Sequence, residues 1–241
     1  MHGTIRTYLP EKKYGFIKGD DGKDYFFHAS AFRDKRHVHN LCEDALVAFD
    51  QQATPKGYKA KNCSLLDPSK VLTYALPEKF IISKSSRVRG FDVIEHGNWI
   101  IHGSSSDSPD DAKRDMVYKA ERIGANALIN LEYYKTTGSS GNYNYTIHNY
   151  CGRAMTLAKR TPKGQYHAED LLGLNQRAEA RKKAFEKRNK ASKWRSRIVW
   201  LGVIAASFYA VPLWIGNGVW LLILGIIFGR SRYYGGWLQG A

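Results

Sequence analysis

The sequence predicts a multidomain chain: an all-β unit at the N-terminus, a small α+β unit of order β-β-α-β-β, then a basic helix and a membrane helical hairpin. Three observations carry this. Residues 1–66 alternate with period two and show no helical period. Residues 77–160 carry strand, helix and strand patterns in turn. Toward the C-terminus, a cluster of positive charge is followed by a long run with no charge at all. The predicted boundaries are 1–66 for the β unit, 67–76 for a linker, 77–160 for the α+β unit, 165–196 for the basic helix and 197–236 for the hairpin.

Composition narrows the function classes. Lysines and arginines number 37 against 22 acidic residues, a formal net charge of +15, so polyanions are the expected partners: nucleic acid, an anionic membrane lipid surface, or both. A hydrophobic content of 43% with 13% aromatics excludes a wholly disordered chain. The mean hydropathy of −0.45 excludes a chain that lies mostly in membrane, though not one short span. Cys42, Cys63 and Cys151 form neither a C-x-x-C pair nor a disulfide framework, which fits a reducing compartment. The polar, basic start has no apolar segment of the kind that opens a cleaved signal peptide.

In the N-terminal unit, Asp21-Gly22 is a type I′ hairpin signal between YGFIKG and DYFFHAS. Tyr14 and Phe16 share one strand face against Gly15 and Ile17. Phe26 and His28 oppose Tyr25 and Phe27 in the next strand. Both faces of this hairpin are therefore aromatic, whereas a small sheet has one core to fill. The surplus rings are flanked by Lys12, Lys13, Lys18 and Lys23, the pattern needed to stack bases and neutralise phosphates. Arg6 and Tyr8 on the preceding strand extend it. The bland counterpart is a set of surface rings that stabilise cross-strand pairs.

These residues resemble the cold-shock domain family. The likeness covers residues 1–66: G-T-I-R at 3–6, K-K-Y-G-F-I at 12–17, D-D-G at 20–22, Y-F-F-H at 25–28 with Ala29-Ser30-Ala31, and T-P-K-G-Y-K-A-K-N at 54–62. RNA-recognition-motif proteins use similar words in the opposite order, with helices between them. The resemblance implies a five-stranded antiparallel barrel of OB type that binds single-stranded RNA or DNA. It also implies a stacking platform of Tyr8, Tyr14, Phe16, Phe26, His28 and Phe32, with Arg6, Lys12, Lys13, Lys18 and Lys56 supplying charge. Three positions depart from the family: Thr7 stands where a tryptophan is usual, Ala29 where phenylalanine is frequent, and Lys13 where the first motif has glycine. At ~1–3 kcal/mol per stacked base, losing two rings implies weaker binding than a full platform gives.

In the α+β unit, Gly97-Asn98 reads as a hairpin signal between Asp92–His96 and Trp99–His102. A helix follows, with Ser108 as N-cap, Pro109 at its first position, Asp110 and Asp111 in its first turn, and Ala112, Met116, Ala120 and Ile123 as its apolar stripe. Gly124 ends it. Ala127, Ile129, Leu131 and Tyr133 then alternate with polar residues, and a TTGSSGN loop leads into a return strand through Tyr143, Tyr145 and Ile147. The runs A-E-R-I-G-A-N-A-L-I-N-L-E-Y and C-G-R-A-M-T-L-A resemble a family of small bacterial α+β domains described as heavy-metal-binding, through packing motifs rather than chemistry. His96, His102, His148 and Cys151 lack a ligand spacing, so no metal and no cofactor are expected. No Ser-His-Asp set, phosphate loop or carboxylate pair stands out, and the chain reads as no enzyme. This unit reads as an oligomerising or sensing module, and a homo-oligomer through it or through the membrane segment is one expected partner.

More than half of the excess charge lies in 176–197, with ten basic and two acidic residues, followed by 32 uncharged residues between Arg197 and Arg230. As one helix those would span about 48 Å, beyond a ~30 Å hydrocarbon core. Pro212 and Gly216-Asn217-Gly218 divide them into two short helices, and a single tilted span is the alternative. The basic flanks place both termini in the cytoplasm of a bacterial-type inner-membrane protein. The function this implies is single-stranded nucleic-acid binding at the membrane surface. The competing class is a structural or sensory membrane protein whose domains mediate protein interaction or oligomerisation without nucleic acid.

Overall fold

A computed structural model describes residues 1–69, 72–210, 223 and 225–241. Five strands close the N-terminal barrel: β1 (His2–Leu9), β2 (Tyr14–Gly19), β3 (Asp24–His28), β4 (Leu46–Thr54) and β5 (Gly57–Leu65). Their order around the barrel is β1-β2-β3-β5-β4, and β4 returns antiparallel to β1. The one parallel pair, β3 with β5, sets Tyr25 beside Tyr58 and Phe26 beside Lys59. This is the OB-like five-stranded barrel that the sequence implies.

Alternation dictates the barrel core. Ile17 from β2, Tyr25 and Phe27 from β3, and Val47 and Phe49 from β4 meet Ile5, Ala60 and Cys63 with almost no exposure. Each such aliphatic or aromatic side chain contributes about 1.5–3 kcal/mol by leaving water. Cys42 and Cys63 are buried there as free thiols, and burial pushes both up to about 11. The β2–β3 connection differs from a two-residue type I′ turn. Gly22 donates to the Gly19 carbonyl and Gly19 to that of Lys23, closing a three-residue loop. Only Gly22 takes a positive φ there, +78°, while the Asp21 carboxylate accepts from the Lys23 amide and the Tyr25 hydroxyl. That side-chain grip substitutes for the second left-handed residue a type I′ turn demands.

Beyond the barrel come β6 (Tyr74–Ala75), β7 (Ile81–Ile82), β8 (Asp92–Ser105), α1 (Pro109–Glu121), β9 (Ala127–Ser140), β10 (Tyr143–Arg160), α2 (Leu174–Ala210) and β11 (Leu238–Gly240). The second sheet has the order β11-β8-β10-β9-β7, with β6 on β10. Thus β6 falls inside the stretch expected to be linker. The α1 prediction matches closely: Ser108 Oγ accepts from the Asp111 amide, Ala112, Met116 and Ala120 are buried, and Gly124 follows at φ +79°.

Two turn predictions fail in this sheet. Gly97-Asn98 is no hairpin, because β8 runs unbroken for 14 residues. Glycine is needed there since a Cβ at 97 would fall on the Ala154 carbonyl of the neighbouring strand. TTGSSGN is strand as far as Ser140, and the reversal is confined to Gly141-Asn142, with Gly141 at φ +59°.

The chain divides into two compact units. One comprises 1–96, 125–130 and 155–173, the other 97–124, 131–154 and 174–241. Within the first, Arg160 bonds to Asp92, to the Asn40 side chain, to the His39 carbonyl and to the Tyr74 hydroxyl, while Lys159 pairs with Glu43 at 2.8 Å. These contacts join the segment before β4, together with Tyr74 and Asp92, to the end of β10.

Within the second unit, α2 starts at Leu174 rather than near 165 and continues past 196 to Ala210 without a break. Asn189 bonds twice to the Tyr234 backbone, and Ser192 accepts from the Arg232 amide at 2.8 Å. Ser196 donates to the Gly229 carbonyl, and Trp237 packs edge-on against Phe185. The returning chain ends as β11 on Trp99–Ile101 of β8. The middle of the predicted membrane hairpin, including Pro212 and the turn at 216–218, lies outside the described residues. Among the described residues no helix is long and apolar enough to cross a membrane.

Changing Gly97 to Ala is expected to lower stability by about 1–3 kcal/mol, because the strand pair has no room for a methyl group. A turn-tolerant site would accept alanine far better than a close strand contact. An unshifted urea midpoint for Gly97→Ala would contradict the unbroken β8.

Candidate nucleic-acid interface

Register decides which rings face out. Side chains of directly paired residues share a face of the sheet. Pairing therefore sorts β1, β2 and β3 into rows: Tyr8, Gly15 and Phe27 in one, Thr7, Phe16 and Phe26 in the next, then Leu9, Tyr14 and His28. Ile5, Ile17 and Tyr25 point inward and are fully buried. Alternation then turns the Tyr8 row inward and the Phe16 and Tyr14 rows outward.

The outward rows form one aromatic cluster. Phe26 sits at its centre, 5.9 Å edge-on from Phe16 and 5.7 Å from Tyr14 between ring centroids. Phe16 is 41% exposed, large for a phenylalanine and enough for a flat apolar ligand to cover it. His28 is held in place because its Nδ1 accepts from the Ser30 amide at 3.2 Å and lies 2.7 Å from the Ser30 hydroxyl.

The basic residues occupy the margins. Lys12 and Lys13 are exposed in the β1–β2 turn, and Lys13 has φ +56°. Its carbonyl accepts from the Ala29 amide at 2.7 Å. A left-handed conformation explains why glycine suits that position and why lysine there costs some backbone energy. Lys18 lies in an outward row between Thr4 and Asp24. Arg6 stands at a bulge in β1 and is bound to Asp24 at 2.7 Å. Lys56 is exposed in the β4–β5 turn, next to Gly57 at φ +117°.

Two expected platform residues lie elsewhere. Phe32 is 2% exposed, packs edge-on against Phe27 at 5.6 Å and belongs to the core. Tyr8 stacks on Phe27 at 5.8 Å from the inward row, and its burial raises the phenol pKa. Register places Tyr8 and a bridge to Cys63 places Phe32: each packs on Phe27, which alternation commits to the interior. Conversely, Lys59 and Leu9 join the outward rows beside Phe26 and Tyr14. The parallel β3–β5 pairing that brings Lys59 in is non-local, and no short-range pattern announces it. Thr7 pairs with Phe16, so the ring missing from the first strand leaves a gap beside the most exposed ring. Ala29 is buried and opens a 3-10 turn instead of adding a face.

In the second sheet, Tyr133 lies 2.7 Å from His148, the Cys151 thiol donates to Glu132 at 3.9 Å, and His102 lies 3.5 Å from the Tyr134 hydroxyl. Among the described residues no group of three or more His, Cys, Asp or Glu converges as a metal site would.

Comparison with known proteins agrees with the barrel. The model of the 'Cold-shock' DNA-binding domain matches residues 1–66. The chain is similar to cold shock protein 1 of Lactiplantibacillus plantarum, at 38% identity over 25% of this chain and 91% of that protein. It is 37% identical to a retron cold shock-like protein of Salmonella heidelberg, over 24% of this chain and 88% of the relative. It is also 38% identical to the major cold shock protein of Micrococcus luteus, over 27% of this chain and 96% of the relative. Among solved structures, a protein of unknown function from Pediococcus pentosaceus is 14% identical over 32% of this chain and 97% of that one, with a TM-score of 0.25, too low to carry an argument.

The reassignment of Phe32 is testable by stability. Phe32→Ala should cost about 3–5 kcal/mol through the cavity it leaves, whereas Phe26→Ala on the outward face should cost no more than about 1 kcal/mol. Urea denaturation of both variants checks this, and similar losses at the two sites would contradict the rows described above.

Proposed function

The chain belongs to the cold-shock domain family through residues 1–66, and from that premise we propose that it binds single-stranded nucleic acid on the outward face of β1, β2 and β3. The observation that carries the proposal is the outward aromatic cluster of Tyr14, Phe16 and Phe26 beside His28, bordered by Lys12, Lys13, Lys18 and Lys59. Rings on a sheet surface offer π-faces to unstacked bases, and lysines at the margins neutralise the phosphates that follow. A duplex buries its bases in the stack and presents none to these rings. The face therefore selects single strands by chemistry rather than by sequence.

The Arg6–Asp24 pair tunes the site. Asp24 shares its row with Lys18 and engages the guanidinium that would otherwise face the phosphate path. An exposed pair of this kind is worth only ~0–1 kcal/mol, so it is easily exchanged for a phosphate.

Oligothymidine should bind the full chain more tightly than duplex of equal length, and Phe16→Ala or Phe26→Ala should each weaken it by ~1–3 kcal/mol. Fluorescence anisotropy with circular dichroism as the folding control measures this. Folded variants that bind as well as the parent would overturn the proposal and favour a protein-binding barrel.

Asp24→Asn is expected to strengthen binding, because it removes a carboxylate and releases Arg6. The dependence of log affinity on log salt should steepen by about 0.7, the value of one added phosphate contact to a single strand. Weaker binding in that variant would show that Arg6 must be held by Asp24 to act.

A further inference from the structure

The β1–β2 turn that borders the ring face is touched by a residue from outside the cold-shock domain. Arg87 donates through Nη1 to Glu11 Oε1 at 3.3 Å, and both side chains are largely exposed. Glu11 immediately precedes Lys12 and Lys13 and follows Leu9-Pro10, so it borders the outward row of Leu9, Tyr14 and His28. A lone carboxylate at that point would repel phosphate. Arg87 cancels it.

The segment carrying Arg87 is basic and firmly anchored. Between Glu78 and Asp92 there is no acidic residue, and Lys84, Arg87 and Arg89 are all exposed. On one side β7 pairs with β9, and the Ser83 amide donates to the Leu128 carbonyl at 2.9 Å. On the other, Val88 and Phe91 pack against the cluster of Ala127, Ile129, Met155 and Leu157. Between these anchors the Ser83 hydroxyl accepts from the Ser85 amide and the Ser85 hydroxyl from the Arg87 amide, which folds the loop into two successive serine turns. The cations therefore project from a short, tethered loop rather than from a free linker.

We propose that Ser83–Arg89 is a second phosphate-binding strip that extends the ring face along the same single strand, with Arg87 exchanging Glu11 for a backbone phosphate. The inference rests on the ring face being a single-strand site. Guanidinium suits the exchange because its planar donors fit carboxylate and phosphate oxygens alike. Lys84 and Arg89 flank it in the same loop, so a strand long enough to leave the rings meets three cations in succession.

The test uses the full chain and the triple variant Lys84→Ala, Arg87→Ala, Arg89→Ala with oligothymidine of two lengths, roughly 5 and 12 nucleotides, one near the short end and one toward the long end of the ~4–16 nucleotide site sizes of such folds. On the longer strand the slope of log affinity against log salt should be shallower by about 2 in the variant, as three lost contacts at ~0.7 each require. On the shorter strand, which the rings alone cover, the two proteins should bind alike. A control variant, Lys183→Ala, Lys187→Ala, Lys190→Ala, removes the same charge from α2 and should leave the slope unchanged. Equal slopes for parent and strip variant on the longer strand, with Phe26→Ala still weakening both lengths, would overturn the strip while sparing the ring face. An equal effect from the α2 control would overturn it as mere loss of net charge. Absence of binding by the parent at either length would remove the ring-face reading and the strip together.

Discussion

The ring face depends on the register of β2 against its two neighbours, and Gly15 enforces that register. A Cβ at this position would fall on the Thr7 carbonyl and within 2.8 Å of the Phe27 ring, so only glycine lets β1 close over Phe27. Tyr8 then stacks on the same ring from above. With that contact made, Ile17, Tyr25 and Phe27 are committed to the core, and the alternate residues Phe16, Phe26 and Tyr14 have no interior left to enter. A slip of one residue would invert every side chain in the strand. Exposed phenylalanines here are thus a direct consequence of a packed interior, and the interior is what makes their exposure stable.

Much of this was legible in the sequence because barrels of this kind are written in period two. Gly15 and Ile17 against Tyr14 and Phe16, and Tyr25 and Phe27 against Phe26 and His28, assign faces correctly from alternation alone. Ser108, Pro109 and Gly124 likewise place α1 by capping chemistry acting over a few residues. What failed was long-range. Phe32 looked available because it follows the second motif, yet its ring is drawn under Phe27 and its backbone bridges to Cys63 on β5. Lys59 was missed because a parallel pairing brings it beside Phe26. Gly97-Asn98 imitates a turn, but the glycine answers to a carbonyl on a strand more than 50 residues away.

The second unit shows the same contrast. A run of helix-forming residues suggests a helix before Arg197 and the uncharged run suggests another after it, but local pattern does not show that the two join without a break from Leu174 to Ala210. Nor does local pattern show that Tyr234, Arg232 and Gly229 return to Asn189, Ser192 and Ser196, or that Leu238–Gly240 adds an edge strand to β8. These contacts fasten the two ends of the uncharged run side by side. They pair small polar side chains with backbone groups, a grip that hydropathy and charge counts do not register.

The account stands or falls on whether bases rest on the outward rings. Ultraviolet cross-linking of the full chain to oligouridine, followed by mass spectrometric location of the adducts, measures this directly, because photo-adducts form only where a base lies against a side chain. The account predicts adducts on Tyr14, Phe16 or Phe26 and none on the inward Phe27 or Phe32. Adducts found only outside residues 1–66 would contradict it.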